Sequence, residues 1–190
     1  LNHGLNTRAT ELLFCKWFID HLDDGGRAGV VVPQGVLTGS YKAHKAVRKT
    51  LLEQNTLEAV IDLPAGVFNP YSDVSTAILV FKNGGPTKSV WFYKIRADGF
   101  TLSSTRRPTS QNDLPDLLAK FPNREEGENS INVGVQTIID NDMSFNVNNY
   151  LIREQEEIEY AHPSQLLSEI GSIEQQILEQ IKVFQEKIKG

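Results

Sequence analysis

The sequence has 190 residues, of which 39% are apolar and 23% charged, values typical of a soluble globular protein of one domain or of one small domain plus an appendage. No apolar run approaches the roughly 18 residues of a membrane-spanning helix, and the single Cys15 excludes an internal disulfide framework and a cysteine-rich zinc site. The net charge of −5 divides into +4 up to Ser110 and −9 from Gln111 onward. Only the first part could therefore face DNA phosphates. The acidic remainder either contacts another protein or is a solvated face.

The first predicted element is a helix that begins at a capping residue, Thr10, and ends in the turn-forming sequence at 23–26. Its apolar residues at helical spacing are Leu13, Phe14, Trp17, Phe18 and Leu22. Cys15 lies among them, so we expect a buried, unreactive thiol, as in a protein of the reducing cytoplasm. Because Leu1 is not an initiator Met and no basic, then apolar leader follows it, we expect it to be an internal position of a longer protein.

An uninterrupted apolar run at 28–33 is closed by Pro33 and predicts a strand buried on both faces. Residues 57–63 predict the next strand, which is again closed by a proline, Pro64. The residues between them, 40–54, predict a helix, which makes the two strands a parallel crossover. Tyr41, Ala43, Ala46, Val47 and Leu51 are expected on its inner face, and Lys42, Lys45, Arg48 and Lys49 on its outer face. This basic face either follows DNA phosphates or is an ordinary solvated surface.

A third apolar run at 75–81 predicts another strand. Only about ten residues separate it from the previous strand, too few for a helical crossover, so we expect it to run antiparallel to its neighbour. A turn at 83–86 leads to a last strand or sheet edge at 90–95. Residues 96–124 are polar and rich in proline, and we expect irregular surface structure there with one short helix near 114–121.

Residues 163–190 predict a long amphipathic helix that starts at Pro163 and Ser164. Its apolar stripe recurs at steps of three and four residues and comprises Leu167, Ile170, Ile173, Ile177, Ile181, Phe184 and Ile188. A helix with one apolar stripe has to bury it, either against its own domain or against a partner helix.

No short catalytic motif stands out: the sequence has no dinucleotide-binding glycine pattern, P-loop, zinc-protease helix or nucleophile elbow. The histidines show no metal-ligand spacing and are expected to be exposed or incidental; they are His3, His21, His44 and His162. We therefore predict no metal site.

The order of these elements is more distinctive than any one of them. With GGRAGVVVPQGVL at 25–37 and EAVIDLPAGVF at 58–68, residues 7–94 resemble the later half of the sheet in class I S-adenosylmethionine-dependent methyltransferases. The two sequences are specifically similar to modification subunits of type I restriction systems, which are gamma-type adenine-N6 DNA methyltransferases. The resemblance implies an α/β fold of parallel strands plus an antiparallel terminal strand, with a C-terminal helical tail.

On this basis we expect three regions: the later part of the methyltransferase domain at 1–96, an irregular extension packed on it at 97–162, and a partner-binding helix at 163–190. The family's glycine-rich cofactor turn, its acidic cofactor contact and its catalytic Asn-Pro-Pro-aromatic motif all precede this segment. The intact protein is thus expected to transfer a methyl group from S-adenosylmethionine to a flipped adenine, and this chain alone to be inactive. The sequence Asn69-Pro70-Tyr71 is one proline short and follows the wrong strand, so it predicts a loop turn.

The resemblance also implies where ligands and partners bind. Phe68 matches the aromatic that packs against the flipped base, with Tyr71 as a weaker second, although a loop aromatic can equally belong to the core. The expected partners are DNA and the specificity and restriction subunits of a type I complex, in the cytoplasm and without a membrane. The stripe of the last helix would contact the specificity subunit. Two alternatives remain open at this point: a class I methyltransferase that acts on RNA or protein, and a non-catalytic module that binds a specificity subunit.

Overall fold

The computed structural model describes residues 4–151 and 163–189, and the chain divides into two units, Leu1–Ile152 and Arg153–Gly190. The described helices of the first unit are α1 (Thr10–His21), α2 (Gln34–Thr38), α3 (Lys42–Glu53), α4 (Leu114–Lys120), α5 (Val135–Asp140) and a 3-10 turn, η1 (Val147–Asn149). Its described strands are β1 (Arg27–Pro33), β2 (Asn55–Leu63), β3 (Thr76–Asn83), β4 (Ser89–Lys94), β5 (Asp98–Phe100), β6 (Pro108–Asn112) and β7 (Ser130–Gly134).

Five of these strands form one sheet in the order β1-β3-β2-β4-β7. β3 lies antiparallel between β1 and β2, while β4 runs parallel to β2. The connection from β2 to β3 holds no helix, so the chain can only reverse, whereas α3 lies between β1 and β2 and lets both run in the same direction. The expected α/β class, with a reversed strand inserted among parallel ones, is confirmed.

The sheet carries its main core on one face. Side chains from β2, β3 and β4 meet α1 and α3 there, and the largest of them are Leu12, Leu51, Leu57, Leu79, Phe81 and Phe92. The other face is covered at β4, where Trp91, Tyr93 and Ile95 pack with Leu117 and Phe121 from the α4 segment. At β1 the same face includes the exposed Val31, so the sheet is covered unevenly.

The sequence-based assignment from β4 onward was wrong in two respects. β4 is not an edge strand, because β7 pairs with it antiparallel on its far side. The stretch expected to be irregular contains the β5–β6 hairpin as well as the predicted helix α4, and the segment 97–162 contributes β7 to the sheet. The short helix α2, directly after β1, was also not predicted.

Two helix faces differ from the predicted ones. In α1 the fully buried side chains are Leu12 and Cys15, whereas Phe14 and Trp17 are exposed. The thiol of Cys15 is buried as expected, and this burial raises its pKa to about 12. In α3 the predicted inward Tyr41 is exposed, and Arg48 on the supposed outer face is buried.

The described part of the second unit is one 27-residue helix, α6 (Pro163–Lys189). Its apolar stripe is exposed, with the described side chains being Leu167, Ile170, Ile173, Ile177, Ile181 and Phe184. The side chain of Ile188, the last member of the predicted stripe, lies outside the described residues. Among the helices that the structure describes, α6 included, none is both long and apolar enough to cross a membrane.

Candidate functional site

The carboxyl end of β2 leads into the loop of residues 64–75, which holds both predicted base-contacting aromatics. The side chain of Phe68 is 41% exposed and that of Tyr71 is 94% exposed, so both rings are accessible from solvent. Ligands of open α/β sheets bind outside the carboxyl ends of the strands, which is where this loop lies. The contact of either ring with a base stays a prediction.

Consecutive turns shape the loop. The backbone N–H of Asn69 donates to the carbonyl of Gly66 at 3.0 Å, and that of Tyr71 donates to the carbonyl of Phe68 at 2.9 Å. The Asn69–Pro70 peptide bond is cis. The predicted turn at Asn69-Pro70-Tyr71 is therefore present.

Arg106, from the β5–β6 hairpin, fastens the hairpin to this loop. Its Nη1 donates to the carbonyl oxygens of Gly66, at 3.4 Å, and of Val67. Its Nη2 forms an ion pair with Asp98 on β5, and the two side chains of this pair are only 17% and 15% exposed. The guanidinium also lies over the ring of Phe100, 5.4 Å from its centroid. One side chain thus connects the loop of Phe68 to the rigid base of the hairpin.

The loop holds the hairpin in return. The side-chain amide Nδ2 of Asn69 donates to the carbonyl oxygen of Leu102 at 2.9 Å. Gly66 has a φ of +87°, and a Cβ atom there would lie 2.7 Å from that same oxygen. Only glycine accepts both this backbone conformation and this close approach.

A small pocket of about 300 Å³ opens beside the loop, between the carboxyl ends of β2 and β4. Its polar lining includes Gln34, Asp62, Lys94, Arg96 and Asn148. The Nζ of Lys94 donates to Oδ1 of Asn148 at 2.5 Å. The pocket therefore contains one carboxylate between two cationic side chains.

Asp62 is the unusual member of this pocket, because it ends an otherwise apolar stretch of β2. Burial raises the pKa of its carboxyl above the ordinary value, and the nearby charge of Lys94 opposes this shift without cancelling it. Side chains with shifted pKa values are frequent at functional sites, so Asp62 is a candidate functional residue at this edge of the sheet.

The pocket at this edge is a poor match to the cofactor that the resemblance implies. S-adenosylmethionine carries a sulfonium, an α-ammonium and an α-carboxylate group; Lys94 and Arg96 could bind only the carboxylate, which leaves Asp62 as the single carboxylate for the two positive groups. Nor do the described residues contain a group of three or more His, Cys, Asp or Glu side chains that could hold a metal ion.

The basic face of α3 provides less positive charge than the sequence indicated. Arg48 is only 1% exposed and donates to the carbonyl oxygens of Val36 and Gly39 at 3.0 and 2.9 Å, so its assignment as a DNA contact was wrong. Helical spacing placed it on the outer face, but the α2 segment, which was not predicted, covers that side of the helix.

The other basic residues of α3 remain accessible. Lys45 pairs with Asp142 at 2.7 Å, and Lys49 lies 3.7 Å from the carboxylate of Glu53. Lys42 is exposed. A role of Lys42, Lys45 and Lys49 at the DNA backbone stays a prediction.

Two residues of the candidate site were missed by the sequence analysis. Asp62 had a signal, since a charged residue near the end of an apolar strand indicates a side chain at the sheet edge. Arg106 had none, because its loop partners, Gly66 and Val67, lie about 40 residues earlier and meet it only through the hairpin.

Comparison with known proteins gives a consistent result. The sequence profile of the family described as N-6 DNA Methylase matches residues 3–159. The EcoEI type I restriction enzyme methylase subunit of Escherichia coli is 36% identical over 153 residues, which are 76% of this chain and 31% of that protein. The StySJI type I methylase subunit of Salmonella typhimurium is 29% identical over 159 residues, 76% of this chain and 30% of that protein. The chain thus spans about a third of the length of these relatives.

Solved structures show the same similarity. A chain from the type I R-M system, solved to study its complex assembly and conformational transition, superposes with a TM-score of 0.67 and 27% identity over 98% of this chain and 41% of that one. A modification subunit of a type I restriction enzyme from Vibrio vulnificus gives a TM-score of 0.60 and 28% identity over 70% of this chain and 29% of that one. Sequence profile and fold agree, and the chain belongs to the N-6 DNA methylase family.

Proposed function

We propose that this chain is the target-base side of an adenine-N6 DNA methyltransferase, the modification subunit of a type I restriction-modification system. The single observation that supports this most is Phe68, a 41% exposed aromatic ring held at the carboxyl edge of the sheet in a chain of this family. In this proposal the ring stacks against the adenine that has been flipped out of the duplex, with Tyr71 as a second contact.

The physical role of Phe68 is to replace lost base stacking. An extruded base loses its neighbours in the duplex, and an aromatic side chain returns about 1–3 kcal/mol per base. Because Arg106 and Asn69 fasten the loop to the hairpin, the ring is held in place before the base arrives, which reduces the entropy lost on binding.

The remaining roles follow from the same proposal. Lys42, Lys45 and Lys49 contact DNA phosphates on the positive side of the molecule. The exposed stripe of α6 docks on the specificity subunit, and a restriction subunit completes the assembly in the cytoplasm. The methyl donor of the intact enzyme, S-adenosylmethionine, binds to residues outside this chain.

The test is DNA methylation by the complete modification complex that contains this chain. Phe68→Ala should lower methylation at subsaturating DNA by about 5- to 150-fold, the range that corresponds to 1–3 kcal/mol, while Phe68→Trp should retain activity because it keeps the aromatic surface. A base analogue that fluoresces when unstacked reports flipping directly. Unchanged methylation and flipping in the alanine variant would refute the role of Phe68.

A further inference from the structure

A second cleft lies at the opposite edge of the sheet, where the parallel strands begin. It measures about 550 Å³, and four charged residues line it: Arg27, Glu58, Lys82 and Arg124. We call this the basic cleft. It lies at the amino ends of β1, β2 and β4, so it is distinct from the loop of Phe68 and independent of the proposed function.

Two of its cations face each other across neighbouring strands. Arg27 on β1 and Lys82 on β3 are direct partners in the antiparallel register, which places both side chains on the same face of the sheet. Like charges directly opposite each other destabilise a strand pair. Glu58 already pairs with Arg27, so an anion that also reached Lys82 would reduce the remaining repulsion.

The third cation of the basic cleft is Arg124. Arg124 has a left-handed backbone, with φ at 54°, and its guanidinium lies 3.8 Å from the ring centroid of Phe121. Asn132 donates to the carbonyl of Arg124 at 2.7 Å and so fixes the turn that carries it. Burial lowers the pKa of Arg124; the negative charge of Glu58 opposes this shift, and the positive charge of Arg27 adds to it.

Glu58 is the only carboxylate among the charged lining residues of the basic cleft. A shift of register between Leu57 and Ala59 brings Glu58 into the cleft, and its Oε2 accepts from both Arg27 and Arg124, the latter at 3.2 Å. Lys82 has no ion-pair partner within residues 4–151 and 163–189. The four charged lining residues therefore leave an excess of two positive charges.

We propose that the basic cleft binds a phosphate group. A phosphate offers several acceptor oxygens in a tetrahedral arrangement, so one group can accept from Lys82 and Arg27 together, and charge-assisted bonds of this kind are the strong ones. Ser89 and Asn132 line the cleft as further donors. The shared chemistry is the phosphate group, which either a nucleic acid or a free phosphate compound can supply.

The experiment uses the 190-residue chain and two phosphate probes, inorganic pyrophosphate and a short DNA duplex, at constant ionic strength. The indole N–H of Trp91 is a local reporter, because Trp91 lines the cleft and its Nε1 donates to the carbonyl of Glu125 at 3.0 Å. Its NMR resonance is assigned with Trp17→Phe, since the chain has two tryptophans. The variants are Lys82→Gln and Arg27→Gln, with Lys88→Gln as the matched control, a lysine just before β4 that does not line the cleft.

We expect pyrophosphate to shift the Trp91 resonance saturably, with at least a tenfold weaker affinity in Lys82→Gln and Arg27→Gln and less than a twofold change in Lys88→Gln. Displacement of pyrophosphate by the duplex identifies nucleic acid as the source of the phosphate, and failure to displace it identifies a free phosphate compound. Absence of saturable binding at millimolar pyrophosphate overturns the proposal. Equal weakening by all three variants also overturns it, because that result indicates general electrostatic attraction.

Discussion

Arg106 uses both edges of its guanidinium. One edge pairs with Asp98 at the base of the hairpin, and the other donates to loop carbonyls one and two residues before Phe68. Hydrogen bonds from a charged donor are stronger than those between neutral groups. The ion pair between Arg106 and Asp98 is also largely shielded from water. Arg106 is therefore a positioning residue for Phe68.

We expect Arg106→Ala to lower the free energy of unfolding by about 2–4 kcal/mol, because it leaves the shielded Asp98 without its partner and two carbonyls without a donor. Amide exchange in residues 65–72 should speed up at least tenfold. The neighbouring Arg107→Ala is the matched control, since Arg107 is exposed and should change stability by less than about 0.5 kcal/mol. Denaturant titration and hydrogen exchange measure both effects, and equal behaviour of the two variants would contradict the role given to Arg106.

Asp62 leads to a prediction about pH. Its pKa is raised in the folded state, so the protonated form is favoured by folding and the charged form is penalised. This contribution is present below the ordinary pKa of 3.8 and is lost as pH rises through the higher folded value. We expect Asp62→Asn to have a higher Tm than the wild type at pH 7. The difference should shrink as the pH falls toward 4, and thermal melts of both proteins across this range measure it; a difference that grows on acidification would rule out the burial argument.

For single residues, the sequence predicted which element each residue belongs to better than it predicted what covers its side chain. The place of Phe68 in a loop after an apolar strand follows from local order, and its exposure agrees with a ligand-contacting role. Arg48 was misplaced because helical periodicity shows which residues share a face but not what covers that face. Here the covering segment, α2, consists of five residues with no periodicity of their own.

Among the elements, α6 is the one predicted to bind a partner. Its stripe is exposed over the described residues from Leu167 to Phe184, and such a surface on a long helix is typical of an interface. Ile177 and Ile181 are one turn apart near the middle of this stretch. They are the positions at which a charge would damage an interface most.

We expect the double substitution Ile177→Asp and Ile181→Asp to abolish association with the specificity subunit, because two carboxylates would have to be buried without partners. Gln176→Asp and Gln180→Asp together introduce the same charges one position away and should leave association nearly intact. Co-purification and analytical ultracentrifugation measure binding, and the near-ultraviolet circular dichroism of the first unit serves as a folding control. Equal co-purification of wild type and the Ile177 and Ile181 variant would exclude this stripe as the interface.

The elements that the sequence predicted are those with a strong local pattern. β1, β2 and β3 are apolar runs closed by proline or turns, and α3 and α6 have clear helical spacing. The missed elements are held by distant partners. All five residues of β6 are exposed, and β7 is a short strand whose place depends on pairing with β4 about 40 residues earlier. Such non-local pairing leaves little trace in a short stretch of sequence.

The first unit has one main core on one face of its sheet, although the chain covers only part of the length of its relatives. The sheet carries the reversed strand, the loop with Phe68 and a well-packed main face, yet the chain spans about a third of its relatives. Positive charge predominates in the part up to Ser110 and negative charge in the remainder. This division supports a DNA-facing side on the first part and protein contacts on the later part.

At this scale we expect the isolated chain not to bind S-adenosylmethionine tightly, with a Kd weaker than about 1 μM. In the pocket at the carboxyl edge, Asp62 is the only carboxylate for the cofactor's sulfonium and ammonium groups, and Lys94 and Arg96 could bind only its α-carboxylate. The measurement is calorimetric titration of the 190-residue chain, with the complete modification complex titrated in parallel as the positive control. Neutralising Arg96 and Lys94 as glutamines should not create submicromolar binding, since the pocket of about 300 Å³ is small for the cofactor. Submicromolar binding by the unmodified chain would show that the cofactor site lies within these residues after all.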